Sequence, residues 1–167
     1  RAPFLAASSN PVTFAAKADF ATAANPRSVA IGDLNGDGNL DLAVACISAG
    51  KVSALLGTGT GTFGAKTDFA AGVTPSTLAM GDLNGDGKLD VVVTNNGGNS
   101  VSVLLGDGAG ALGAPTAFTS GSNPQGVAIG DLNGDGYPDL AVANSGSGTA
   151  SVLLGTGTGT FGAKTDF

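Results

Sequence analysis

Asp33, Asn35, Asp37 and Asp41 occupy the first, third, fifth and ninth positions of the stretch Asp-Leu-Asn-Gly-Asp-Gly-Asn-Leu-Asp. Oxygen donors at alternate positions of a short loop, joined by one backbone carbonyl at the seventh, can wrap a hard cation that takes six to eight oxygens. The same word returns as Asp82, Asn84, Asp86 and Asp90, and again as Asp131, Asn133, Asp135 and Asp139. The carbonyls at position seven would come from Asn39, Lys88 and Tyr137. Gly36, Gly85 and Gly134 at position four, with Gly38, Gly87 and Gly136 at position six, supply the positive φ such a tight loop needs. Calcium fits better than magnesium, which keeps more of its water and a stricter octahedron. An EF-hand would place Glu at position twelve, but Val44, Val93 and Val142 stand there inside apolar runs, so the site lies between two strands.

The competing reading makes Asp-Gly and Asn-Gly ordinary hairpin turns. Nine of the 13 aspartates crowd into the three loops, an arrangement that is repulsive without a cation. Three divalent ions would also cancel the formal net charge of −6. About three calcium ions, one per loop, are therefore expected.

The elements that carry the loops follow from periodicity. Asp33, Asp82 and Asp131 are spaced by 49 residues, and Phe20, Phe69, Phe118 and Phe167 keep the same interval, as do Phe14, Phe63, Leu112 and Phe161. Residues 21–167 thus divide into three ungapped units, 21–69, 70–118 and 119–167. Inside a unit apolar residues alternate with period two, as in Val29-Ala30-Ile31 and Val101-Ser102-Val103, which predicts strands. The first unit reads as strands near 28–33, 40–46, 51–56 and 62–69, broken by Gly-rich turns. Four strands in such a span match a propeller blade, and a lone sheet with two apolar faces must stack on its neighbours. A twelve-strand sandwich is the alternative, though sandwiches rarely repeat so strictly.

Residues 1–20 form an arm. Thr13-Phe14-Ala15-Ala16-Lys17-Ala18-Asp19-Phe20 resembles Thr62-Phe63-Gly64-Ala65-Lys66-Thr67-Asp68-Phe69, so the chain holds four copies of the fourth strand and three of the rest. The surplus strand, or the sheet edge it leaves, is expected to pair with another molecule.

The loop word, its tandem repetition and the fragments Phe63-Gly64-Ala65, Gly113-Ala114-Pro115 and Phe161-Gly162-Ala163 resemble the FG-GAP/VCBS repeats of integrin α-subunit propellers and bacterial surface proteins. The resemblance implies an all-β fold of tandem four-stranded antiparallel blades around an axis, with calcium in the hairpin between the first two strands. Propellers of that family usually close with about seven blades, so a ring closed by one chain of three is not expected.

Composition narrows the function. The acidic balance gives a pI near 4.1 and leaves no basic surface to track phosphates, so nucleic acid is not an expected partner. No apolar run is long enough to predict a membrane span and no signal-peptide pattern is present. The start at Arg1 suggests processing or a window on a longer protein. Neither His nor Glu occurs, which removes the usual general bases and any Ser/His/Asp arrangement, and no enzyme activity is expected. Cys46 is alone and is expected to be a small buried or half-buried residue. The Gly-rich stretches at 106–110, 58–62 and 156–160 lack the Lys-Ser/Thr of a phosphate loop and read as turns, whose Thr residues are candidates for O-linked sugar.

These features predict an extracellular or cell-surface calcium-binding structural or adhesive protein that associates with copies of itself, head to tail into a fibre if the contact does not close. A carbohydrate-binding propeller module is the second reading, weakened by the absence of Trp and a single Tyr. Glycans or cell-surface proteins are its corresponding partners. The third is a fragment of a larger propeller-bearing surface protein.

Overall fold

A computed structural model describes residues 15–167. Each unit forms one four-stranded antiparallel sheet in simple up-and-down order. The first sheet holds β1 (Pro26–Gly32), β2 (Asp41–Cys46), β3 (Lys51–Leu55) and β4 (Thr67–Ala70). The second holds β5 (Pro75–Gly81), β6 (Asp90–Asn95), β7 (Ser100–Leu104) and β8 (Thr116–Thr119). The third holds β9 (Pro124–Gly130), β10 (Asp139–Asn144), β11 (Thr149–Leu153) and β12 (Thr165–Asp166). The fold is all-β, built of three propeller-type blades that do not close into a ring. Among the described residues the one helical turn is a 3-10 segment, Asn96–Gly98, and no helix is long and apolar enough to cross a membrane.

β1, β5 and β9 lie side by side along the inner edge, so the blades fan from a common line. Strand alternation then sends odd and even residues of each second strand to opposite neighbours. Ala43 and Ala45 of blade 1 face blade 2, where Val91, Val93 and Leu78 meet them in one buried cluster. Val92, Val101 and Val103 of blade 2 face blade 3, where Leu140, Val142 and Leu153 meet them. Burying each such Val or Leu side chain is worth about 1.5–3 kcal/mol, so the blade boundaries are the core of the molecule. At the boundary of blades 1 and 2, alanine on one side against valine or leucine on the other sets a close spacing between sheets.

The expected fourth strand at 62–69 is shorter in the structure. Gly59 and Gly61 hold φ of 78° and 79°, so the chain turns there and only Phe63 bridges back, to Gly57, before pairing resumes at Thr67. The aromatic contacts follow the period. Phe118 lies edge to face on Phe161 with centroids 5.3 Å apart, and Phe20 repeats the contact on Phe63 at 5.1 Å. Phe69 packs into the core between blades 1 and 2, whereas Phe167 is 76% exposed, with no blade packed over it among the described residues. Phe14 lies outside the described residues, as does the first residue of the expected surplus strand, Thr13; the rest of that strand, residues 15–20, pairs with no strand.

Cys46 is fully buried, as its solitary sequence predicts, and its neighbours explain why it is not Asn. The equivalent residues, Asn95 and Asn144, donate through Nδ2 to Ser102 Oγ and Ser151 Oγ at 2.8 Å. Each stands against a glycine, Gly72 or Gly121, where a Cβ would lie 2.3 Å from Asn95 Oδ1 or 2.6 Å from the Asn144 amide. In blade 1 that glycine is Ala23, which packs in the same small cluster as the shorter Cys46.

Candidate metal centre

The three loops join β1 to β2, β5 to β6 and β9 to β10, so all three lie at the same end of their blades. Their glycines adopt the expected backbone: φ is 72° and 84° at Gly36 and Gly38, 77° and 80° at Gly85 and Gly87, and 79° and 86° at Gly134 and Gly136. The chain curls around the first aspartate. Gly36 N–H donates to Asp33 Oδ1 at 2.7 Å and Gly38 N–H to Asp33 Oδ2 at 2.8 Å. Asp82 accepts the same pair from Gly85 and Gly87, at 2.7 and 2.8 Å, and Asp131 from Gly134 and Gly136, at 2.7 and 2.9 Å.

The third and fifth positions each brace the residue two places on. Asp37 N–H donates to Asn35 Oδ1 at 3.1 Å and Asn39 N–H to Asp37 Oδ1 at 2.7 Å. Asn84 and Asp86 accept equivalent bonds at 3.0 Å each, and Asn133 and Asp135 at 3.0 and 2.8 Å. These N–H donors favour the charged carboxylate. They hold Asp37 below its ordinary value, chiefly through Asn39 N–H; Asp86 likewise through Lys88 N–H; and Asp131 through Gly136 and Gly134 N–H. Lys88 Nζ adds a partial ion pair with Asp86 at 3.6 Å.

The ninth position differs. Asp41, Asp90 and Asp139 open β2, β6 and β10 and are fully buried. Asp41 takes Leu34 N–H on Oδ2 at 2.8 Å and Gly57 N–H on Oδ1 at 2.7 Å. Asp90 takes Leu83 N–H at 2.9 Å and Gly106 N–H at 2.8 Å, and Asp139 takes Leu132 N–H at 2.8 Å and Gly155 N–H at 2.7 Å. One carboxylate thus pins the loop to the turn after the third strand. A Cβ on Gly57, Gly106 or Gly155 would stand 2.1, 2.2 or 2.1 Å from the carbonyl oxygen of Leu40, Leu89 or Pro138, so only glycine fits. Sequence reasoning missed these three residues, although their own 49-residue spacing marks them.

The structure therefore brings positions one, three and five onto one curled loop and sets position nine beneath it. Among the described residues no three carboxylates converge into a ready metal cluster, because each is turned toward backbone N–H groups. The donor set still fits a hard cation. A carboxylate has about four acceptor directions, and each of these keeps some unused. None of the three buried aspartates has a cationic side chain in an ion pair among the described residues. Burial pushes Asp90 above its ordinary value, and the charges of Asp86 and Asp82 raise it further, so a divalent ion in the loop would relieve a repulsion already built in.

The FG-GAP-like repeat family matches the chain at residues 4–44, 34–93, 82–142 and 131–167, and the chain belongs to that family. No match was found among curated proteins. One solved structure, a mutant Photorhabdus luminescens Tc holotoxin pore, is similar with a TM-score of 0.43 and 18% identity over 84% of this chain. This chain spans 9% of that one.

Proposed function

We propose that the protein is a calcium-stabilised structural or adhesive module of the extracellular space or cell surface that associates with copies of itself. The observation that carries the reading is the triple loop, with acidic and amide oxygens at positions one, three, five and nine on a backbone curled by paired glycines. Asp33, Asn35, Asp37 and Asp41, with the carbonyl of Asn39, would hold the first ion. Asp82, Asn84, Asp86, Asp90 and the carbonyl of Lys88 would hold the second, and Asp131, Asn133, Asp135, Asp139 and the carbonyl of Tyr137 the third. When bound, calcium supplies charge neutralisation and cross-linking within a loop. With neither His nor Glu in the chain, the module works by shape and association and not by catalysis.

Extracellular calcium modules bind at about 10⁻⁴ to 10⁻³ M, so such sites fill where calcium is millimolar, outside the cell. At about ten times Kd each site adds about 1.4 kcal/mol, and three add about 4, a sizeable part of the 5–15 kcal/mol of an ordinary domain. Thermal unfolding in millimolar calcium, in magnesium and in chelator tests this. The melting temperature rises in calcium well above its value in the other two; equal values in all three refute the calcium reading.

A further inference from the structure

The two internal blade boundaries are copies of one contact. Gly32 of blade 1 leaves a hollow for blade 2, where an added Cβ would come within 2.6 Å of Leu89 and 3.0 Å of Met80. Gly81 does the same for blade 3, with Ile129 at 3.2 Å. Leu56 lies over Gly110 and Leu105 over Gly159, at 2.8 and 2.7 Å from the corresponding Cβ positions. A backbone hydrogen bond closes each boundary, from Gly110 N–H to Leu34 O at 3.2 Å and from Gly159 N–H to Leu83 O at 3.1 Å.

One period on, every part of that contact is present and, among the described residues, unpartnered. On blade 3, a Cβ at Gly130 meets nothing within 4 Å, Leu154 is 44% exposed, and Leu132 is 56% exposed where its counterparts Leu34 and Leu83 are 2% and 1%. On blade 1, Ile31, the counterpart of Met80 and Ile129, is 63% exposed, and a Cβ at Gly61 meets nothing within 4 Å. The hollow is at one end of the molecule and the side chain that fits it at the other.

We propose that blade 3 of one molecule docks on blade 1 of a second copy through this same contact. Ile31 seats on Gly130, Leu154 covers Gly61, and Gly61 N–H donates to Leu132 O. The inference rests on the self-associating reading above and specifies its surface. It also gives the arm a role. Phe20 already fills on Phe63 the place that Phe118 takes on Phe161, which in a docked pair is the place of the preceding copy's Phe167. Ala15-Ala16-Lys17-Ala18-Asp19-Phe20 repeats the Lys-x-Asp-Phe of residues 162–167, and β12, with two residues, is the shortest strand. Residues 15–20 of the second copy therefore replace β12 beside β11 as the pair forms.

The test is mass by light scattering across a concentration series in millimolar calcium. The wild-type chain gives species at multiples of 15.9 kDa. Gly130→Leu fills the hollow, where a Cβ meets nothing of its own chain within 4 Å, and Ile31→Asp puts a charge into the joint; each weakens association by about 10- to 100-fold, an ordinary overpacking or burial penalty. Their circular dichroism and melting in dilute solution stay at wild-type values. Because the contact is head to tail, mixing the two variants restores one intact joint and a 1:1 dimer, which a contact between identical faces would not do. Removing residues 165–167 leaves association intact, while Phe20→Asp weakens it. A wild type that is monomeric at every concentration, its open faces then belonging to some other occupant such as a further blade, overturns both the self-association and this surface. Association unaffected by Gly130→Leu and Ile31→Asp overturns this surface alone.

Discussion

Replacing Asp90 by Ala separates the two tasks that the loop aspartates perform. Its carboxylate is fully buried and accepts Leu83 N–H and Gly106 N–H at 2.9 and 2.8 Å. Alanine leaves both donors buried without an acceptor, at about 1–3 kcal/mol each, or roughly 2–6 kcal/mol for the pair. Part of this is returned, since a carboxylate held above its ordinary value by burial and by Asp86 and Asp82 no longer has to be charged there. The expected net loss is about 2–4 kcal/mol. Asp90→Asn keeps one acceptor and turns an NH2 toward the other donor, and loses about 1–2 kcal/mol. The assay is urea unfolding followed by far-UV circular dichroism in the presence of chelator, with an unchanged m-value required for the comparison. In chelator Asp86→Ala, whose side chain braces only an exposed loop, stays near wild type. A loss below about 1 kcal/mol for Asp90→Ala under these conditions would refute the pin between loop and turn.

Three further outcomes follow from the geometry. Gly106→Ala sets a Cβ 2.2 Å from Leu89 O and destabilises by about 2 kcal/mol or more, whereas Gly130→Ala, with nothing within 4 Å, changes the stability of the monomer by less than about 1 kcal/mol in the same unfolding assay. Gly72→Ala clashes with Asn95 Oδ1, yet the double change Gly72→Ala with Asn95→Cys reproduces the Ala23 and Cys46 pair of blade 1; a double-mutant cycle gives a favourable coupling of about 0.5–3 kcal/mol, and simple additivity would contradict the account of that pair. Asp68 and Asp166 are held below their ordinary value of 3.8, first by the Lys66 and Lys164 ammonium groups and then by Ser53 and Ser151 hydroxyls. Their folded pKa being depressed, the stabilisation is complete above 3.8 and is lost as pH falls through the folded values. In chelator, the stability gap between wild type and the Lys66→Ala, Lys164→Ala double variant is present at about pH 5 and closes toward about pH 2; a gap unchanged across that range would contradict the pairing.

The blades were legible because every unit repeats without a gap and its apolar residues alternate, so one reading applied three times. The loop glycines were legible for a local reason: a backbone that turns on itself twice within nine residues needs positive φ at defined places. What the sequence hid was long in range. The bond from Gly57 N–H to Asp41 spans 16 residues and depends on a turn whose direction is set only once β2 and β3 pair. Asp41, Asp90 and Asp139 therefore looked like cation ligands alone, and their grip on the turn could not be seen. The alternation of Val29 and Ile31 marks a strand but not its surroundings: in blades 2 and 3 their counterparts are packed, and in blade 1 they are exposed because, among the described residues, no blade covers their face. The turn at 58–62 was legible from its glycines, but the strand expected from 62 onward pairs only at Phe63 before Thr67.

The ion itself is the most direct test of the account. Native mass spectrometry or equilibrium dialysis with calcium as the probe counts ions per chain, for wild type and for Asp86→Ala. Three per wild-type chain, falling to two when Asp86 is replaced while Asp33 and Asp131 remain, is the expected result. A chain that holds no calcium at millimolar concentration, or an Asp86→Ala chain that still holds three, would contradict the assignment of the loops.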